Sequence, residues 1–222
     1  MNEGDARTSV VSQLLNELQN VRPNDRALIA IDGFDGAGKT HLAQELIELA
    51  TRQGGRPLAR ASIDGFHRPK AERLRAGSGP EGFYRGSYRY DTFRECVTTP
   101  LRSGEAIVPA VWDVARDQPV TVPEISVPAS GILIVDGIFL HRRELVDVWD
   151  ATVWVDAPFA VTVPRGNARF QGRHDDDPDA LSNLRYVDGQ RLYVSEAAPK
   201  QRATWVFDNT DLARPRLRRN RM

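Results

Sequence analysis

The sequence predicts an α/β fold, a parallel sheet covered by helices on both faces. Three observations predict it. Short apolar runs at 27–31, 132–135 and 151–155 alternate with segments of helical period. The first run leads directly into Gly33-Phe34-Asp35-Gly36-Ala37-Gly38-Lys39-Thr40, which fits G-x-x-x-x-G-K-[ST]. That loop, Asp64 and Asp136 all fall at the carboxyl ends of predicted strands, where open α/β sheets gather their ligands.

Length and composition bound the rest. At 222 residues, one domain spanning 1–222 is the default. Thirty basic residues balance thirty acidic ones, so no net field calls for nucleic acid or an anionic membrane. The one cysteine, Cys96, excludes an internal disulfide and a Cys-rich zinc site. No run approaches the roughly 20 apolar residues that span a bilayer. The polar, acidic start through Asp5 does not read as a secretory signal, so the cytoplasm is the expected location. Oligomeric state stays open, with a homo-oligomer among the alternatives.

Taken in order, Val10, Val11, Leu14, Leu15 and Leu18 repeat at helical spacing and predict an amphipathic helix ending before Pro23. Residues 27–31 form the first strand. The phosphate-loop pattern follows, then a helix carrying Leu42, Leu46 and Leu49 that stops near Gly54-Gly55. Residues 57–63 read as a second strand that delivers Asp64. Residues 65–90 show no periodicity and are rich in Arg, Gly and Tyr. They read as a long acceptor-side loop with a short helical piece. Asp91 reads as the N-cap of a helix over 92–101. Residues 106–114 and 120–127 alternate and predict a β-hairpin, about 106–128 in all. The run 132–135 ends in Asp136-Gly137 as a buried parallel strand. A short helix is expected over 141–149 and another strand over 151–155. From Pro158 to about 178 a helical lid carries Arg165, Arg169 and Arg173, with a kink or break expected at Pro164 and Gly166. A helix over 179–198 and a last strand over 204–207 complete the body. The Arg-rich tail from Arg214 reads as frayed.

The residue types explain the chemistry. Glycines let the loop bend so that backbone N–H groups of Gly33, Asp35, Gly36, Ala37 and Gly38 can turn toward phosphate oxygens. The helix starting near Lys39 adds its positive end. Lys39 reaches the β- and γ-phosphates in such loops, and a hydroxyl like that of Thr40 binds Mg²⁺. Asp136 is placed to hold the metal through its waters. Asp64 sits one strand over, where a carboxylate can orient a hydroxyl and take its proton. Arg165, Arg169 and Arg173 recur every four residues and share one helical face, which can spread transition-state charge.

These residues resemble the uridine kinase group of P-loop nucleoside kinases, with phosphoribulokinase and pantothenate kinase as wider relatives. The resemblance runs from Ala27 to Thr210. It is carried by GFDGAGKT, by Asp64-Gly65-Phe66-His67-Arg68, by the hairpin from Pro109 to Arg116, by Val135-Asp136-Gly137-Ile138, by the Arg-bearing lid and by Val206-Phe207-Asp208-Asn209-Thr210. It implies a five-stranded parallel sheet with a side hairpin and a helical lid. It also implies transfer of phosphate from ATP or GTP to a sugar hydroxyl, with Asp64 catalytic and Lys39, Thr40 and Asp136 at the phosphate and Mg²⁺ positions. Asp136 stands where uridine kinases usually carry Glu. His67 stands where a base-pocket Tyr is common, and Asp117 where a hairpin His reads the pyrimidine edge. A carboxylate cannot donate the hydrogen bonds that His offers to a carbonyl. Asp91 is the ribose-binding Asp in one register and only a helix cap in another. His67, Trp112, Asp117 and Asp91 are thus the expected lining of the acceptor pocket.

The favoured expectation is an ATP-dependent kinase of a small hydroxyl-bearing metabolite, with a nucleoside 5′-hydroxyl leading. The alternatives are a sugar or pantothenate-like acceptor, or a nucleotide-dependent switch protein without an acceptor. No nucleic-acid or membrane partner is expected.

Overall fold

The computed structural model describes residues 3–168 and 174–220. Its centre is a six-stranded sheet in the order β2-β5-β1-β6-β7-β8. The strands are β1 (Ala27–Gly33), β2 (Leu58–Ser62), β5 (Ile132–Gly137), β6 (Ala151–Asp156), β7 (Trp205–Asp208) and β8 (Arg216–Arg219). The first five are parallel, and β8 joins β7 antiparallel. The expected five-stranded parallel sheet with helices on both faces holds, extended by one antiparallel strand. The Arg-rich tail is not frayed: it supplies the sixth strand, because its backbone pairs with β7 while the arginines stay largely in solvent.

Both faces of the sheet are covered, and the core residues alternate accordingly. Ile29, Ile31, Ile134, Val153 and Val155 pack on one side with Leu14, Leu18, Leu42 and Leu46 of α1 (Glu3–Gln19) and α2 (Lys39–Gln53). Leu28, Ala30, Leu133, Val135 and Trp154 pack on the other with Phe93, Phe139 and Tyr193. Each large apolar side chain so buried stabilises the fold by about 1.5–3 kcal/mol. Helix α2 stops as the glycine pair predicts. Gly54 takes the left-handed conformation at φ 68°, and its N–H donates to the Ala50 carbonyl.

Several elements depart from the sequence reading. Residues 65–90 are not a long loop. They contain α3 (Lys70–Arg75) and α4 (Pro80–Gly86), and a bridge between His67 and Tyr88 closes the excursion. Helices this short carry too few turns for their period to show. The helix expected at Thr92 begins at Tyr90 as α5 (Tyr90–Phe93). It continues through a π-helical turn at 94–98 into α6 (Thr99–Ser103). Arg89, not Asp91, is its N-cap residue, and Asp91 lies exposed in the first turn.

The hairpin is much reduced. Only β3 (Trp112–Asp113) and β4 (Gln118–Pro119) pair, with a further bridge at Ile107 and Ile125. Pro109, Pro119, Pro123 and Pro128 lack the N–H groups that longer ladders need. Residues 141–149 form successive turns rather than a helix, shown by N–H donations from Leu145 to Arg142 and from Val148 to Leu145. Helix α7 (Phe159–Asn167) runs through Pro164 without a break. Helix α8 (Leu184–Ala197) starts later than expected, because Asn183 Nδ2 binds the carbonyls of Asp175 and Asp177 and holds the preceding residues in turns. A short α9 (Pro199–Arg202) follows.

Sheet register fixes the site. Ile31 lies abreast of Asp136, and Asp136 abreast of Ser62. The carboxyl ends of β1, β5 and β2 therefore meet at one edge. There the chain leaves β1 as the phosphate loop and leaves β2 as a 3₁₀ turn, Ile63–Phe66, that carries Asp64.

Candidate active site

The loop between β1 and α2 turns on glycines. Gly36 has φ 78° and Gly38 has φ 96°, values that side chains rarely adopt. Both are also crowded. A Cβ on Gly36 would lie 2.0 Å from the Thr162 carbonyl oxygen, and one on Gly38 would lie 2.6 Å from Asn209 Nδ2. So α7 and the segment after β7 press on the loop. Phe34 adds to this contact, stacking on Phe159 at 4.1 Å between ring centroids. Asn209 Nδ2 donates to the Ala37 carbonyl at 2.7 Å.

Lys39 opens α2 and is buried. Its Nζ donates to the Phe34 carbonyl at 2.7 Å, across the loop. Burial pulls its pKa below the ordinary lysine value, while the charges of Asp35, Asp32, Asp64 and Asp136 oppose that shift. The Gly36 N–H meets the Asp35 carboxylate at 3.0 Å. The Asp35 N–H donates to Gln190 Oε1 on α8 at 2.7 Å.

Thr40 and Asp136 meet. Thr40 Oγ1 donates to Asp136 Oδ2 at 2.7 Å. Arg60 on β2 forks onto the same carboxylate, with Nε 2.8 Å from Oδ1 and a terminal nitrogen 3.0 Å from Oδ2. A hydroxyl and a carboxylate are hard oxygen donors of the kind Mg²⁺ takes. Among the described residues, no three His, Cys, Asp or Glu side chains converge into a metal cage. Thr40 as a direct donor and Asp136 as an acceptor for metal-bound water would thus suit a magnesium ion.

Asp64 lies two residues beyond β2. Its N–H donates to Ser62 Oγ at 3.3 Å, and Ser62 Oγ donates to the Asp136 carbonyl at 3.1 Å. The Asp64 side chain is 59% exposed. Tyr88 donates its hydroxyl to Asp64 Oδ1 at 2.8 Å. Burial, then the Asp64 charge, holds the Tyr88 phenol well above its ordinary pKa, so it remains a donor. His67 Nδ1 lies 2.8 Å from the Asp64 carbonyl oxygen, and its ring packs on Tyr88 at 4.5 Å. Burial pulls its pKa below the ordinary histidine value, against the pull of Asp64.

The other expected pocket residues each lie against an arginine. Asp117, at the hairpin tip with φ 53°, accepts the backbone N–H of Lys70 at 2.7 Å and lies 3.9 Å from Arg73. It fastens the hairpin to the start of α3. Trp112 lies under the Arg89 guanidinium at 5.6 Å, with its buried Nε1 unpartnered. Asp91 lies near Arg94, whose charge it favours. Arg165 donates to the carbonyls of Asn209 and Thr210 at 2.9 and 2.8 Å. Arg169 and Arg173 lie outside the described residues.

Sequence reasoning missed a buried network beneath the loop. Asp32 is fully buried at the end of β1. His141 Nδ1 lies 2.7 Å from its Oδ2, and the Tyr193 hydroxyl of α8 donates to the same oxygen. His141 Nε2 lies 2.9 Å from Thr152 Oγ1 on β6. An Asp inside an apolar run was the visible signal. Its partners, more than a hundred residues away, gave none. Arg60 and Tyr88 were missed as well.

No family model and no curated protein sequence matches the chain. Solved structures do. A possible uridine kinase from Bacillus stearothermophilus superposes with a TM-score of 0.72 at 20% identity, covering 90% of this chain and 98% of its own. A candidate fructose transport system kinase from Silicibacter sp. TM1040 gives 0.67 at 21% identity, covering 85% and 94%. A D-glycerate 3-kinase from Cryptococcus neoformans gives 0.57 at 11% identity, covering 90% and 93%. The fold is the P-loop kinase fold. The resemblance read from the phosphate loop and its flanking motifs therefore has its counterpart in three dimensions. At these identities the likeness establishes the P-loop kinase fold and leaves the acceptor to the chemistry of the site.

Proposed function

We propose that the protein is a kinase that moves the γ-phosphoryl group of ATP, or GTP, to a hydroxyl of a small metabolite. A nucleoside 5′-hydroxyl is the first acceptor. The observation that carries this reading is an exposed, Tyr88-bound Asp64 whose charge acts on Lys39 of the loop, one strand over from the Thr40–Asp136 pair. A nucleotide-binding switch has no use for such a carboxylate.

Residues 33–40 cradle the phosphates, and Lys39 turns from the Phe34 carbonyl to them. Thr40 and Asp136 would hold magnesium, which would supply positive charge against the transferring group. Tyr88 occupies Asp64 Oδ1 and leaves Oδ2 for the acceptor. Asp64 takes the hydroxyl proton as the acceptor oxygen bonds to the γ-phosphorus and the bond to the ADP oxygen breaks. Arg165, with Arg169 and Arg173, supplies positive charge from the lid once freed from the carbonyls of Asn209 and Thr210. His67 and Trp112 line the acceptor side, with Asp91 and Asp117 at its margin.

A second reading has a specific observation behind it. Asp117 Oδ1 is engaged by the Lys70 N–H and lies 3.9 Å from Arg73, so only its other oxygen is left to read a base. That favours a smaller acceptor such as a sugar or a hydroxy acid, the substrate classes in the names of two of the similar structures. A panel of nucleosides, sugars, pantothenate and glycerate, read by ADP release, separates the two. Stimulation by a nucleoside alone supports the first reading, and stimulation only by a non-nucleoside replaces it with the second.

A further inference from the structure

Asp136 already has a cation. Its carboxylate is buried on β5, and a buried carboxylate must be compensated. The compensation comes from Arg60, on the neighbouring strand β2. Arg60 lies abreast of Ile134, so it reaches Asp136 on the diagonal. The guanidinium takes one bond on each carboxylate oxygen, at 2.8 and 3.0 Å, and Thr40 takes a third at 2.7 Å. This is the fork geometry in which arginine binds carboxylate most strongly. A metal-bound water beside Thr40 would donate to Oδ2, which already accepts from both Thr40 and Arg60, so it needs one of these two places. Thr40 is itself in the metal's donor set, so the place to be given up is that of Arg60.

Arg60 is built to give it up. Its side chain is 31% exposed, so the guanidinium can reach water without any strand moving. Asp136 by contrast is held in the sheet. The charges make the exchange conditional. In the nucleotide-free site, Lys39 and Arg60 both oppose an arriving dication. Nucleotide phosphates bring several negative charges and reverse that balance.

We propose that Arg60 is a displaceable counter-cation of the Thr40–Asp136 site. It holds the carboxylate while the loop is empty and yields it only when metal arrives with nucleotide phosphates. This rests on the kinase reading for the identity of the phosphates. The competition between guanidinium and metal for Asp136 stands on the ion pair itself.

The test uses Mn²⁺ as the probe, titrated by electron paramagnetic resonance into the nucleotide-free full chain. The variants are Arg60→Gln, Arg60→Lys and the pair Arg60→Gln with Asp136→Asn. Arg60→Gln should bind Mn²⁺ at least about tenfold more tightly than the wild type, with Arg60→Lys between them. The gain should vanish in the double variant. Mn²⁺ should raise the melting temperature of Arg60→Gln and leave that of the wild type unmoved. Metal-free ADP should bind wild type and Arg60→Gln within about threefold of each other. If Arg60→Gln binds Mn²⁺ no more tightly, the proposal is overturned. It is also overturned if Arg60→Gln loses metal-free ADP affinity by tenfold, because Arg60 then holds phosphate. Arg60→Lys keeps a charge beside Asp136 and decides the matter by the same Mn²⁺ titration should the glutamine variant not fold. A wild type that binds no ADP refutes the kinase reading, and the Mn²⁺ series still decides the competition.

Discussion

Tyr88 donates its hydroxyl to Asp64 Oδ1 at 2.8 Å, joining the end of the α3–α4 excursion to the turn after β2. The bond fixes one oxygen of an otherwise exposed carboxylate. Tyr88→Phe removes the bond and keeps the ring against His67. The expected outcome is a fall in kcat of about tenfold, equivalent to about 1.4 kcal/mol, with nucleotide affinity unchanged. Steady-state rates with the identified acceptor, and ADP titration calorimetry, check both halves.

Thr40 makes its claim through Asp136. Thr40→Ala leaves the loop backbone intact but removes the proposed metal ligand and a hydrogen bond to Oδ2. Its effect should appear in the metal-dependent part of nucleotide affinity. We expect ADP with Mg²⁺ to bind about tenfold more weakly, with little change for metal-free ADP. An equal loss under both conditions would mean that Thr40 shapes the loop and does not serve the metal.

Gly36 is where the loop meets α7. Gly36→Ala places a methyl group 2.0 Å from the Thr162 carbonyl oxygen at a φ of 78°. Strain and overpacking together should cost about 1–3 kcal/mol. Denaturant unfolding measures the loss. ADP affinity should fall with it if, as proposed, the same backbone cradles phosphate.

Little of this contact was legible in the sequence. The loop pattern, the strand that feeds it and the helix that leaves it could all be read from local residue types. The carboxylates at the strand ends could be read because strand ends have a fixed geometry in parallel sheets. What could not be read was who touches whom across the chain. No local signal shows that Asp117 is tied to Lys70 or that Arg60 grips Asp136. The short helices at 70–75 and 80–86 left no period to detect. The hairpin at 106–128 showed the right alternation, but its prolines removed the donors.

Below the loop, Asp32 is bound by Tyr193 and His141 without contact with solvent. Tyr193→Phe leaves that carboxylate short of a donor and should destabilise the fold by about 1–3 kcal/mol. Tyr193 also lies one turn from Gln190, which accepts the Asp35 N–H. Slackening α8 should therefore loosen the loop, seen as faster amide exchange at Asp35 and Gly36.

His67 gives a pH dependence. Burial depresses its folded pKa below the ordinary value of about 6.5. Between the folded pKa and about 6.5, the unfolded chain holds more protons than the folded one. Stability therefore rises with pH through that window and is complete above it. It is lost as pH falls from about 6.5 toward the folded value. His67→Asn should flatten this part of the curve, measured as urea unfolding midpoints between about pH 5 and 7. An unchanged slope would assign the dependence to another group.

The proposed role of Asp64 as the base of a phosphoryl transfer stands or falls on one comparison. ADP release is measured with ATP, Mg²⁺ and the acceptor that stimulates the wild type, for wild type and Asp64→Asn side by side. Acceptor-dependent release should fall by about 10²-fold or more in Asp64→Asn while ATP affinity stays within a few-fold. Wild-type turnover by Asp64→Asn would contradict it.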